Sequence, residues 1–91
     1  MIRNWRHKGL RELFETGRSA KVTAALQKRL LIRLDVLDAM VSLQQLNQPG
    51  FDFHRLHGRP VRYTIHVNGP WCITFGLNGT DVVDVDLEQY H

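Results

Sequence analysis

The sequence predicts an α+β domain in which two helices pack on one face of an antiparallel sheet of three to four strands. Apolar residues recur every three or four positions in the first half of the chain, which is the period of a helix. In the second half they recur at every second position, which is the period of a strand. The change falls at Pro49-Gly50, a dipeptide that breaks regular structure. A chain of 91 residues suits one hydrophobic core, so we expect a single domain over residues 1–91.

The first half is predicted to hold a short N-terminal strand at residues 2–5 and then the two helices. Residues 8–16 have the pattern of a helix that ends at Gly17, a residue that readily adopts a left-handed conformation. The second helix is predicted to be the longest element, with Ser19 or Thr23 as its cap. Its apolar stripe consists of Leu26, Leu30, Leu34, Leu37 and Val41. One further helical turn is expected at residues 42–46.

The second half is predicted to be a meander of strands. Residues 51–57 form the first strand, and the next two, 61–68 and 70–77, make a hairpin around Asn68-Gly69. A last strand over 82–87 follows the turn at Asn78-Gly79, with its odd-numbered residues facing inward. The hairpin has one apolar face. We expect its other face to carry Arg62, Thr64, His66, Cys72 and Thr74, and this polar face is where we look for function.

Charge is distributed unevenly along the chain. The net charge is +3, but residues 1–33 hold nine Lys/Arg against two acids. A strongly basic segment is typical of a phosphate-binding surface or a docking site for an acidic partner. The alternative is a helix face that is charged only because it faces solvent. Lys28, Arg29 and Arg33 lie off the apolar stripe and are candidates for phosphate contacts. With no membrane-length apolar run, no signal peptide and one cysteine, we expect a soluble cytoplasmic protein.

Histidines and arginines cluster between residues 54 and 66. Histidine titrates near neutral pH and arginine offers a planar fork of donors to phosphate, so His54, His57, Arg59 and Arg62 suit cleavage of a phosphodiester. Binding of RNA or protein without catalysis remains the alternative. A zinc site is not expected, because positions 54 and 57 would point to opposite faces of a strand. We therefore predict no metal and no cofactor.

A set of short motifs, in this order and spacing, resembles the HigB-type toxins (plasmid maintenance killer proteins) of the RelE superfamily. The resemblance covers nearly the whole chain. The motifs are Met1-Ile2-Arg3, His7-Lys8-Gly9-Leu10, Leu13-Phe14-Glu15-Thr16-Gly17, Leu37-Asp38-Ala39, Pro49-Gly50-Phe51, Leu56 with Gly58, the run Ile65 to Phe75, and the terminal Tyr90-His91.

The resemblance implies a type II toxin that cuts mRNA on the ribosome without a metal ion. It would be neutralised by a HigA-type helix-turn-helix antitoxin and would meet DNA only through that antitoxin. By position, His54 and His91 would share the acid and base work, and Tyr90 would position or stack on the nucleotide.

Three positions of the chain depart from the family pattern. The family usually has arginine at position 72, lysine at position 57 and an acid at position 89, where this chain has Cys72, His57 and Gln89. These departures predict a nuclease of modest activity. The alternative is a weakened or inactive homologue that serves as an antitoxin-binding and regulatory module.

Overall fold

We describe residues 1–89 in a computed structural model of the chain. Helix α1 covers Lys8–Thr16 and helix α2 covers Ala24–Ala39, followed by a short 3-10 helix at Leu43–Leu46. The strands are β1 (His54–Arg55), β2 (Tyr63–Asn68), β3 (Trp71–Asn78) and β4 (Asp81–Gln89). They form one antiparallel sheet in the order β1-β2-β3-β4, so the predicted α+β class and meander are confirmed.

Helix α1 begins and ends where the sequence predicts, and α2 begins after Thr23, one of its two predicted caps. His7 caps α1, because its Nδ1 accepts the N–H of Leu10 at 3.1 Å. Gly17 closes the same helix with a φ of 87° and donates its N–H to the carbonyl of Leu13. Thr23 occupies the cap position of α2 but makes no capping hydrogen bond through its side chain.

The apolar stripe of α2 is confirmed at four positions and wrong at the fifth. Leu26, Leu30, Leu34 and Leu37 are buried, but α2 ends at Ala39 and Val41 is 81% exposed. Met40 has an extended backbone and fills the buried place instead. The helical spacing predicts burial only for residues within the helix, and α2 ends before Val41.

The first and last strands differ from the prediction. Strand β1 has only two residues rather than seven. In β4 the prediction placed Val83 inward, but the structure buries Val82 and Val85. The register with β3 shifts between these valines, where Asp84 has a φ of 52° and adds one residue to β4. An inserted residue reverses which side chains of a strand face inward. The prediction is therefore confirmed at Val85 and wrong at Val83.

The N-terminal segment pairs with β4 without forming a strand. Ile2 and Trp5 make isolated parallel bridges to Val82 and Val85. The Ile2 N–H also donates to Asp38 Oδ1 on α2 at 2.9 Å. The predicted N-terminal strand is therefore present only as two bridges, which fasten the start of the chain to the sheet.

The core lies between the helices and the apolar face of the sheet. It contains the leucines of both helices, together with Ile65, Val67, Ile73 and Phe75 of the central hairpin. Tyr63 stacks between Phe53 and Phe75, with ring centroids 5.8 and 5.7 Å away. This packing leaves the opposite, polar face of the sheet outside the core. Among residues 1–89, no helix has the length and apolarity needed to cross a membrane.

Candidate functional site

A cleft opens beside the polar face of the sheet. Its volume is about 320 Å³. Strands β1, β2 and β3 meet there, since His54 pairs with Thr64 and His66 pairs with Cys72 across the sheet. The lining residues are Asp52, His54, Leu56, Thr64, His66, Gly69, Pro70 and Cys72. Imidazole groups and apolar walls thus share one small concave surface, as in many ligand sites.

His54 is held in one tautomer by the backbone. Its Nδ1 lies 2.9 Å from the carbonyl oxygen of Asp52. A carbonyl oxygen can only accept, so Nδ1 carries the proton and, in the neutral ring, Nε2 keeps its lone pair. The φ of Asp52 is 43°, part of the sharp turn that precedes β1. Because the His54 side chain is exposed, Nε2 can accept a proton from a molecule in the cleft.

His66 and Cys72 form the opposite wall of the cleft. His66 Nε2 lies 3.0 Å from the carbonyl of Gly69 and so donates to it, which leaves Nδ1 as the acceptor. The Cys72 thiol points toward the carbonyl of Pro70 at 4.0 Å, a weak contact. Both side chains are half-buried. The hairpin turn therefore fixes this wall through backbone carbonyls.

Two threonines close the middle of the polar face. Thr64 and Thr74 are cross-strand neighbours, and their exposed fractions are 1% and 0%. Thr74 Oγ1 has two partners, but Thr64 Oγ1 is buried with no hydrogen-bond partner among the described residues. The polar face is therefore accessible at the histidines, whereas the two threonine side chains are covered by their neighbours.

Arg62 lies on the same face, held by neutral acceptors. Its Nη2 donates to Thr74 Oγ1 at 3.1 Å and to the carbonyl of Asp84 at 2.8 Å. Partial burial lowers the pKa of its guanidinium, and nearby Arg6 lowers it further. Three acids on β4 act in the opposite direction: Glu88, Asp84 and Asp86.

His57 and Arg59 lie on the exposed loop between β1 and β2. The Leu56 N–H donates to the carbonyl of Arg62 at 2.9 Å and closes this loop at its base. A second, shallow depression of about 310 Å³ is lined by Arg55, Leu56, His57 and Gly58. Since Leu56 lines both depressions, the cationic loop adjoins the His54 cleft.

Arg33 does not lie on the surface, contrary to the prediction. It is 7% exposed, and its Nε donates to the carbonyl of His66 at 2.6 Å. Its Nη1 and Nη2 donate to the carbonyls of Arg29 and Gly50, and the guanidinium lies 4.7 Å from the centre of the Phe51 ring. Burial, and then Arg29, lower its pKa. Arg33 therefore ties α2 to the sheet and is not available to a phosphate.

The remaining candidates are separate from the cleft or outside the described residues. Lys28 and Arg29 are exposed on α2, which contributes no lining residue to the cleft. Tyr90 and His91 lie outside the described residues. Sequence reasoning missed Asp52, whose carbonyl sets the His54 tautomer, and Glu88, which accepts a hydrogen bond from Thr74. The acidity of Glu88 was visible in the sequence, but its partner was not.

Comparisons with known proteins agree with the resemblance. A family model described as "RelE-like toxin of type II toxin-antitoxin system HigB" matches residues 3–91. The chain is also similar to a protein named Endoribonuclease HigB from Proteus vulgaris. The two are 35% identical over 92 residues, and the match covers 100% of each chain.

Proposed function

The chain belongs to the RelE-like HigB toxins of type II toxin-antitoxin systems, and we propose that it is an endoribonuclease that cuts mRNA on the ribosome and so stops translation. The observation that carries this proposal is the fixed tautomer of His54, which offers a lone pair at the mouth of a cleft. The name of the Proteus vulgaris relative supports the activity.

The reaction uses the ribose of the substrate as the nucleophile. His54 Nε2 takes the proton of a 2′-hydroxyl, and the oxygen attacks the adjacent phosphorus. The bond from phosphorus to the 5′-oxygen breaks, and His91 gives that oxygen a proton. Tyr90 positions or stacks on the nucleotide. Neither proton transfer requires a metal ion.

Basic side chains outside the cleft hold the RNA. His57 and Arg59, on the loop beside the cleft, contact the phosphates of the bound message. Lys28 and Arg29 are exposed on α2 and contact ribosomal RNA phosphates. Cys72 supplies no cation at the position where the family usually has arginine, which makes the rate modest.

A helix-turn-helix antitoxin of the HigA type neutralises the toxin, and the protein reaches DNA only through that partner. Family membership implies an antitoxin partner. The HigA type of that antitoxin is inferred from the resemblance of the sequence to HigB-type toxins. The site of action is the cytoplasm, where the ribosomes are.

The test measures cleavage of ribosome-bound mRNA by the purified protein. We expect His54→Ala to reduce the cleavage rate at least a hundredfold, and Gln44→Ala, an exposed change outside the cleft, to leave it within twofold. Expression in a bacterial host should arrest growth unless the antitoxin gene is present. If the parent protein binds antitoxin but cleaves no message and arrests no growth, the non-catalytic regulatory module is the correct alternative.

A further inference from the structure

The cleft beside the polar face presents hydrogen-bond acceptors and no lysine or arginine. In the neutral rings of His54 and His66, one nitrogen donates to a backbone carbonyl, so the other nitrogen of each ring keeps a lone pair. The lining also includes the acidic Asp52, and none of the described residues that line the cleft is a lysine or an arginine. A phosphate binds best to such charged donors. The cleft therefore suits a ligand that donates hydrogen bonds better than it suits a phosphate.

His66 is held in place by three hydrogen bonds. Its backbone N–H donates to the carbonyl of Phe51 at 2.6 Å, and its own carbonyl accepts from Arg33 Nε at 2.6 Å. Its ring donates through Nε2 to the carbonyl of Gly69, whose φ of 56° belongs to the hairpin turn. The backbone and the ring are both fixed, so Nδ1 is an acceptor that needs no rearrangement before it binds a ligand.

The size and the walls of the cleft suit one flat ring. Its volume is about 320 Å³, and Leu56 and Pro70 supply apolar surface beside the imidazoles. The faces of a nucleobase pack against side chains, and hydrogen bonds to its edge identify the base. His54 pairs with Thr64, and His66 lies two residues further along β2. Two residues of a strand span roughly 6–7 Å, a separation that one nucleoside can bridge from its ribose to its base.

We propose that this cleft is a nucleobase pocket and that His66 is its specificity-determining residue. The inference rests on the proposed endoribonuclease function and names the feature of the RNA that the same site recognises. While His54 Nε2 faces the 2′-hydroxyl of a nucleotide, the base of that nucleotide lies in the cleft, and His66 Nδ1 accepts a hydrogen bond from its edge. Adenine and cytosine offer an amino group there, whereas guanine and uracil have a carbonyl oxygen at the same position. The pocket therefore selects amino bases over keto bases.

A keto base is rejected because two acceptors would face each other. Its carbonyl oxygen has no hydrogen to donate, so binding would remove water from that oxygen and from His66 Nδ1 without replacing either hydrogen bond. A site that hydrogen-bonds a substrate group discriminates against analogues without that group more strongly than an apolar pocket of the same shape does. Because the His66 side chain is half-buried and keeps some contact with solvent, we expect a preference on the order of tenfold.

The first test measures cleavage of mRNA on programmed ribosomes by the purified protein. The cut is mapped by primer extension, and the base on its 5′ side is then exchanged within two matched pairs. Cytosine and uracil form one pair, and adenine and hypoxanthine form the other. In each pair the ring system is kept and the amino group is replaced by a carbonyl oxygen. We expect kcat/KM to be on the order of tenfold higher for the amino member of each pair.

His66→Phe tests the residue itself. Phenylalanine keeps a planar ring but has no acceptor, so kcat/KM should become equal within about twofold for the two members of each pair. His57→Phe is the matched control, because it makes the same change on the loop beside the cleft. Whatever that control does to each rate, it should leave the ratio within each pair as it is in the parent protein. Urea unfolding shows that both variants are folded.

A second measurement does not depend on cleavage. In an NMR titration of the isotope-labelled parent protein, the side-chain nitrogen signals of His66 should show the proton on Nε2. Addition of cytidine should shift the Nδ1 signal, because that nitrogen accepts from the amino group. Uridine at the same concentration should leave the signal in place.

The outcomes separate this inference from the proposed function. If the parent cleaves message with equal kcat/KM for both members of each pair, the role of His66 is refuted and the endoribonuclease stands. A preference that survives His66→Phe also refutes that role. If the parent cleaves no message but cytidine alone shifts the His66 signal, the nucleobase pocket stands and the endoribonuclease falls. If neither cleavage nor a shift is seen, both fall.

Discussion

Substitution by valine should change the free energy of unfolding in opposite directions at Thr64 and Thr74. They are neighbours across β2 and β3, both are buried, and both would become the β-branched valine. Their hydroxyl groups differ, since Thr64 Oγ1 has no partner among residues 1–89 and Thr74 Oγ1 has two. Strand propensity and size are therefore matched, and the hydrogen bonds decide the result.

The magnitudes follow from the cost of a buried polar group. An unsatisfied buried hydroxyl costs about 1–3 kcal/mol, so Thr64→Val should raise the free energy of unfolding by about 1 kcal/mol. Thr74→Val loses a hydrogen bond to a carboxylate and one from a guanidinium, each a charged group. Because both partners are partly exposed, we expect a loss of about 2 kcal/mol. In a domain of this size the two melting temperatures should differ by roughly 12 °C or more.

Urea unfolding followed by tryptophan fluorescence measures both variants. The dependence of unfolding free energy on urea should have the same slope in each, which shows that the unfolded states are comparable. Destabilisation by both substitutions to a similar extent would refute the reasoning, since it would mean that the Thr64 hydroxyl is satisfied in solution. Stabilisation by Thr74→Val would refute the hydrogen bonds of Thr74 to Arg62 and Glu88.

Three further predictions concern the helices. Arg33→Met should lower the free energy of unfolding by about 2–4 kcal/mol, because it removes the buried guanidinium that donates to the carbonyls of His66 and Gly50, and urea unfolding checks this. Gly9→Ala should lower it by about 1–3 kcal/mol, since the added Cβ would lie 2.8 Å from the ring of His7; an unchanged melting temperature would contradict this. Replacing Lys28 and Arg29 together by Glu should weaken ribosome binding and flatten its salt dependence, while cleavage of a bound message proceeds at the parent kcat. Binding with an unaltered salt slope would show that these cations meet no phosphate.

The sequence predicted those features that depend on local period and turn chemistry. The bounds of α1 and the positions of both hairpin turns follow from the spacing of leucines, from Gly17 and from the Asn-Gly pairs. The polar face of the hairpin was predicted from the same alternation. His54 was placed on a strand and is found there, beside the cleft.

What the sequence could not predict depends on contacts between distant residues. Arg33 looked like a surface cation because it lies off the leucine stripe, but its acceptors are carbonyls 17 and 33 residues away. The bulge at Asp84 reversed which side chains face the core in the first part of β4. No local sequence pattern predicts one inserted residue. The tautomer of His54 likewise depends on one positive φ at Asp52.

The pairing of the N-terminal segment with β4 has a consequence for synthesis of the protein. Asn4 Oδ1 accepts the N–H of Asp84, 80 residues later in the chain. At about 5–20 residues per second, translation of that interval takes roughly 4–16 s. During this time the N-terminal segment lacks its partners on β4, and the sheet cannot close. A nascent toxin therefore remains incompletely folded until strand β4 has left the ribosome that makes it.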